Sequence, residues 1–334
     1  MKIREVNAAL DEYSEKELKK LVKEMYKKIP KKMKEEKEID SLITDMTGFL
    51  KQKKNKQEET VDFATLKQEI ETFTEYAYNQ YYLAPNSYVK KKERPKWRFK
   101  VKNYLKQLQS FSMASEEGVE ATELLIKLYE VMAYGCAYYI FSSDDPYRSI
   151  GLGQMSFYDL IVKRLFIHDI SKPTVKKTIK LVIDNENDRE TIDDDLWEIL
   201  IQNLKTVDMK EMAIEESKLL LKINSQKEVK ASSGFSDLTA YKKYEFNNSL
   251  TRLVFHVYIF LGETKAATNF FKAHMQENDR EVQLYILLKL LEHYDLTKEW
   301  VSELEKALKN GVTPRRSLLY QYEDMPDKFK QLKL

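Results

Sequence analysis

Apolar positions recur at steps of three and four along most of the chain. Leu18, Leu21, Val22, Met25, Tyr26 and Ile29 fall on one face of a helix. Ser14 and Glu17 precede them in the Ser-x-x-Glu pattern of a capping box, and Pro30 limits the run. Ile39, Leu42, Ile43, Met46, Phe49 and Leu50 predict a second helix, and the polar run 51–60 reads as a connector. Phe63, Leu66, Ile70, Phe73, Tyr76, Ala77 and Tyr81 predict a third, ending before Pro85. A fourth starts at Pro95 or Lys96, where proline suits a first turn, with Trp97, Val101, Tyr104, Leu105 and Leu108 as its stripe.

The stretch 115–141 is apolar on nearly all sides beyond Leu128, the pattern of a helix covered on more than one face. A loop at 142–153 separates it from helices at 156–168 and 174–183, with Pro173 between these two. An acidic connector, 184–195, leads into Leu196, Trp197, Leu200, Ile201 and Leu204, with Thr191-x-x-Asp194 as the capping pattern. After a helix at 208–223, Ala231-Ser232-Ser233-Gly234 within 227–236 marks the best candidate boundary. That divides the chain into an N-terminal helical region, 1–226, a C-terminal repeat-like region, 237–319, and a polar tail, 320–334, expected to be partly ordered. One continuous domain is the alternative. In the last hundred residues one helix ends at Leu261-Gly262, and others follow at 263–276, 280–294 and 297–309. Gly311 and Pro314 close the last of these. No segment sustains the period-two alternation of a half-buried strand. The predicted fold is all-α: antiparallel helix pairs forming an α-solenoid-like or multi-helical array.

Composition reinforces this. Eight Gly and seven Pro in 334 residues are far fewer than the usual roughly 7% and 5%, which leaves few helix breaks and few glycine-rich catalytic loops. The 56 basic and 54 acidic side chains nearly cancel, so whole-chain charge argues for neither a nucleic-acid nor a membrane partner. The single cysteine, Cys136, lies in an apolar run and reads as a buried, inert thiol. It can form neither an intramolecular disulfide nor a cysteine-based zinc site. The opening Met-Lys-Ile-Arg-Glu lacks a signal-peptide core. The most apolar segment carries Lys127 and Glu130 and falls short of the about 18–20 uncharged residues that span a bilayer. A cytoplasmic protein with no membrane partner, no cofactor and no metal is the expectation.

Tyr258-Ile259-Phe260-Leu261-Gly262, followed by Ala266, Phe270, Phe271 and Ala273, places aromatic and small residues at repeat-like positions. The segment 253–276 resembles one tetratricopeptide repeat. The resemblance implies a protein-binding scaffold and assigns no binding residue. Stacked two-helix units would pack each on its neighbours.

Two segments carry candidate chemistry. In 88–106, Lys90, Lys91, Lys92, Arg94, Lys96, Arg98, Lys100, Lys102 and Lys106 face one acid, Glu93, with Tyr88, Trp97, Phe99 and Tyr104 interleaved. Cations neutralise phosphates and aromatic faces stack on bases, so Lys90, Lys91, Lys92, Arg94, Trp97 and Arg98 are candidate binding residues. The competing reading puts Trp97, Val101 and Tyr104 in the core and the lysines on a solvated face. The second segment is the loop 142–154, with Asp144, Asp145, Tyr147 and Arg148. Its Gly151-x-Gly153 lacks a third glycine and a preceding strand, so a dinucleotide site is excluded. Asp145-Pro146 reads more simply as a turn opening a helix. The acids of 184–198 lack the glycine of a calcium loop. No two of His168, His256, His274 and His293 have the spacing of a helical metal pair, and His256 sits in an apolar stripe. The leading expectation is a binding or scaffold protein for a protein or peptide. Nucleic-acid binding through 88–106 is the alternative, and an enzyme site near 142–154 a further one.

Overall fold

The computed structural model describes residues 3–36, 38–49, 62–226 and 236–330. All regular structure among them is helical, with no strand, and no described helix is long and apolar enough to cross a membrane. The chain divides into two compact units, Met1–Asp62 and Phe63–Leu334.

The first unit contains α1 (Ile3–Asp11), α2 (Glu15–Lys28), α3 (Lys31–Glu36) and α4 (Ile39–Thr44). The charged sequence ahead of Ser14 gave no expectation of α1. At α2 the carboxylate of Glu17 accepts hydrogen bonds from the backbone N–H (2.9 Å) and hydroxyl (2.6 Å) of Ser14, and the helix stops before Pro30 as the pattern predicts. The second predicted helix is interrupted. Asp45 ends α4, and its carboxylate accepts the N–H of Gly48 (2.8 Å), capping a new turn. A short acid that bonds the backbone ahead of it favours a helix start over a helix interior. No described side chain of this unit is buried. The connector 51–60 lies outside the described residues.

The second unit runs through α5 (Phe63–Tyr78), α6 (Trp97–Ser110), α7 (Glu116–Ala137), α8 (Pro146–Ile150) and α9 (Gln154–His168). It continues with α10 (Lys172–Ile183), α11 (Asp193–Asn203), α12 (Val207–Gln226), α13 (Ser236–Phe260) and α14 (Thr264–His274). The last three are α15 (Arg280–His293), α16 (Thr297–Lys309) and α17 (Arg316–Glu323). As its all-round apolar sequence requires, α7 is central, touching α5, α6, α8 and α9. It ends four residues earlier than expected because Ile140 and Phe141 leave the helix to enter the core. Arg164 of α9 is buried and donates to Thr122 Oγ1 (3.0 Å) and to the carbonyl of Gly118 (3.1 Å), which docks α9 on the start of α7.

From α9 onward, helices pack chiefly on partners one or two places away in the chain. The boundary expected at 227–236 falls almost wholly outside the described residues; on either side of it, Asn224 of α12 donates to Asn247 of α13 (2.9 Å). At α11 the capping acid stands one place later than predicted: Asp195 accepts the N–H of Ile192 (2.9 Å). Gly262 (φ +77°) and Gly311 (φ +75°) stop α13 and α16 in the left-handed conformation that glycine takes without strain. Of the polar tail, 320–334, the described residues 320–330 include one anchoring contact. Tyr322 of α17 is buried and donates to Glu305 Oε1 (2.6 Å), and Arg315 grips Glu281 with two bonds of 2.7 Å. Its polar sequence hides one buried ring.

Candidate binding groove

The turn that follows α5 shapes the site. Gln80 takes a left-handed conformation (φ +60°) and ends the helix. Asn86 then organises the loop from both ends of its amide. Its nitrogen donates to the carbonyls of Tyr81 (2.8 Å) and Ala84 (2.7 Å), and its oxygen accepts the N–H of Tyr88 (2.9 Å) and Val89 (2.7 Å). Arg94 donates from Nε to the carbonyl of Val89 (3.1 Å), so its guanidinium ties the loop. Tyr88 stacks on Tyr81 with ring centres 4.5 Å apart.

This loop closes one end of a groove between α5 and α6 with a volume of about 660 Å³. Phe73, Tyr82 and Tyr104 line it from below, the tyrosine rings lying 5.1 and 5.9 Å from that of Phe73. Gln68, Glu69 and Thr72 line it from α5, Lys100 and Asn103 from α6, and Tyr88 and Lys90 from the loop. Tyr82 and Tyr104 are only 3% and 5% exposed. Burial pushes both phenol pKa values up, that of Tyr104 to about 12 with the nearby charge of Glu69 adding to the effect. Both hydroxyls therefore stay protonated. Neither makes a hydrogen bond to another described residue. Both residues line the groove, and neither hydroxyl is among the buried polar atoms left without a partner, so these hydroxyls open on the groove and are free to bond what enters it. Neither Lys90 nor Lys100 lies within ion-pair distance of a carboxylate among the described residues; Glu93, which also lines the groove, is held by Lys96 (3.0 Å), and the charges of Lys92 and Lys100 act on it as well.

The candidates of the basic segment separate accordingly. Lys90 lines the groove, while Lys91, Lys92 and Arg98 are exposed outside its lining. Arg98 lies over the ring of Phe99 at 5.1 Å. Trp97 is corrected to a core residue. It is 1% exposed and stacks on Phe141 with ring centres 4.0 Å apart, so its face is already covered. The contribution of α5 was missed. Tyr76 and Phe73 read only as stripe positions, and the one signal was the density of tyrosines around Pro85.

The loop 142–154 is organised for structure. The Asp145 carboxylate accepts the N–H of Arg148 (2.9 Å) and caps α8, which Pro146 opens and Gly151 (φ +67°) closes. Asp144 pairs with Arg189 (2.7 Å), and buried Tyr147 donates to the carbonyl of Tyr129 (3.0 Å). Arg148 is exposed. Asp144, Asp145 and Tyr147 are thus engaged in holding the chain.

The acidic run is likewise tied into the fold. Asp193 accepts from Asn187 (2.7 Å) and Ser249, Asp194 pairs with Arg252 (2.8 Å), and Glu186 pairs with Lys242 (3.2 Å). No grouping of His, Cys, Asp and Glu among the described residues has the form of a metal site. Buried His256 bonds Tyr294 Oη through Nδ1 (2.7 Å) and places Nε2 3.9 Å from Asp194. Cys136, expected to be buried, is only partly so; desolvation, with the nearby charges of Asp188, Asp145 and Glu186, pushes its thiol up to about 12 and keeps it protonated. No protein-family model matches this chain, and no curated protein and no solved structure matches it.

Proposed function

We propose that this protein is a binding module that holds a segment of another polypeptide in the groove between α5 and α6. The observation that carries this reading is the groove itself, lined by two tyrosines, Tyr82 and Tyr104, whose hydroxyls make no hydrogen bond to another described residue. A polypeptide supplies what such a groove lacks: backbone and side-chain hydrogen-bond partners, and apolar groups for the exposed ring of Tyr88. The walls are of opposite charge, Glu69 on α5 facing Lys100 on α6, which suits a chain carrying both signs. The predominance of contacts between near neighbours from α9 onward supports an array of paired helices, in keeping with the repeat-like segment 253–276.

The test is panning of a random peptide display library on the intact protein. An enriched consensus that binds the wild type and is lost on Lys100→Glu supports the groove; no consensus, or one indifferent to that change, rejects it. Nucleic-acid binding is kept as a second reading because Tyr88 and Phe99 are 61% and 58% exposed among uncovered lysines. It requires an affinity for oligo(dT) that falls steeply with salt.

A further inference from the structure

We propose that the cavity where α12, α13 and α14 meet binds a dianionic phosphate group, held by Lys218, Lys222 and His274. This cavity, of about 290 Å³, shares no residue with the groove between α5 and α6. Lys218 and Lys222 line it from α12, Asn247 from α13, and His274 and Gln276 from the end of α14. One aromatic ring brings Lys218 and His274 together. Lys218 Nζ donates to Tyr258 Oη (2.8 Å) and lies 5.5 Å from the centre of the Phe270 ring. The His274 ring packs on the same Phe270, with ring centres 4.2 Å apart. Lys222 stands one turn after Lys218 on the same face of α12. Asn247 is buried; its Oδ1 accepts from Asn224 (2.9 Å), and its amide nitrogen bonds no described residue.

The charge around the cavity is of one sign. Among the described residues its lining holds no carboxylate, and neither lysine is in an ion pair. The acids nearest in sequence are engaged elsewhere. Glu215 and Glu216 pair with Lys172 (2.6 Å) and Lys176 (3.8 Å), and Glu277 accepts from Tyr244 Oη (2.9 Å) and the N–H of Asp279 (3.0 Å). Lys243 of α13 adds positive charge behind the lining, donating to the carbonyl of Ser225 (3.3 Å). Burial and the charge of Lys218 lower the pKa of His274, so at neutral pH its ring is uncharged and offers one N–H. An ammonium only donates, and Lys218 has spent one bond on Tyr258, so the group that satisfies this lining is rich in acceptors. A carboxylate brings one charge and leaves one lysine uncompensated. A phosphate group brings nearly two charges and three acceptor oxygens.

Binding is read on the full chain from the NMR signals of the histidine ring C–H groups, with His274 assigned by its loss in His274→Gln. Inorganic phosphate, glycerol phosphate and acetate are titrated separately at constant ionic strength and neutral pH. Inorganic phosphate is expected to shift the His274 signal saturably with a Kd on the order of 1 mM, and acetate to bind roughly tenfold more weakly. Tighter binding of glycerol phosphate assigns the site to a phosphate ester; tighter or equal binding of inorganic phosphate assigns it to the free anion. The Lys222 side chain makes no hydrogen bond or ion pair with a described residue, so Lys222→Gln should weaken phosphate roughly tenfold and leave the melting temperature unchanged. Adding Lys218→Gln should abolish saturation. The absence of a saturable shift at tens of millimolar phosphate overturns the proposal. Acetate binding as tightly as phosphate overturns it too, as does an unchanged phosphate affinity in Lys222→Gln. A lowered melting temperature in Lys222→Gln would assign that lysine a structural role and overturn its part in the site.

Discussion

Gly118 shows how one atom sets a packing distance. A Cβ built there would stand 1.9 Å from the carbonyl oxygen of Ser112 and 2.8 Å from its carbon, both backbone atoms that cannot turn aside. Gly118→Ala is expected to destabilise the protein by about 2 kcal/mol or more, read as a lowered melting temperature. Asp194 controls a pH dependence. Burial alone would raise its pKa; the neighbouring His256 and Arg252 override this and bring it from 3.8 down to about 2. The group is ionised in the fold at pH values where the unfolded chain has begun to protonate it. Its contribution, roughly 2 kcal/mol, is therefore complete above about pH 4 and is lost as the pH falls towards 2. Asp194→Asn should flatten that limb of a denaturation series taken from pH 5 to 2. An unchanged slope would show that Asp194 does not carry it.

Single elements depend on how few residues terminate them. The loop between α5 and α6 is built on Asn86, whose four hydrogen bonds replace what a helix or sheet would supply. Asn86→Ala is expected to cost about 2 kcal/mol in stability and to weaken groove binding together with it, measured by denaturation and anisotropy on the same sample. Substitution of Lys91 or Lys92, which lie outside the groove lining, should change neither. The stripes predicted α2, α6 and α16 nearly to the residue, because proline, glycine and capping side chains act on the next turn only. The break at Asp45 and the early end of α7 were less legible. In the first, a side chain competes locally with a strong apolar stripe. In the second, Ile140 and Phe141 are as apolar as the helix before them, and only the space beneath Trp97 decides that they leave it.

For the molecule as a whole, the near-cancellation of charge conceals local separation. Acids of 184–198 are tied to helix starts and to cations such as Arg252 and Lys242, while the groove is lined by Glu69 and Glu93 together with Lys90 and Lys100, neither lysine ion-paired among the described residues. All groove residues belong to the unit that begins at Phe63. Removing residues 1–62 is thus expected to leave peptide affinity within about twofold of the full chain, since every contact proposed here remains. A larger loss, with helicity by circular dichroism retained, would place part of the site in the first unit. The sequence by itself determined an all-helical protein and most helix limits, because periodicity, capping and backbone breaks are local properties. Only the tertiary structure decided that Trp97 is core, that Tyr322 anchors the tail, and that Tyr82, Lys90, Lys100 and Tyr104 meet Glu69 across one groove. Those facts depend on which helices lie side by side, and a one-dimensional pattern carries the face of a helix but not its neighbour.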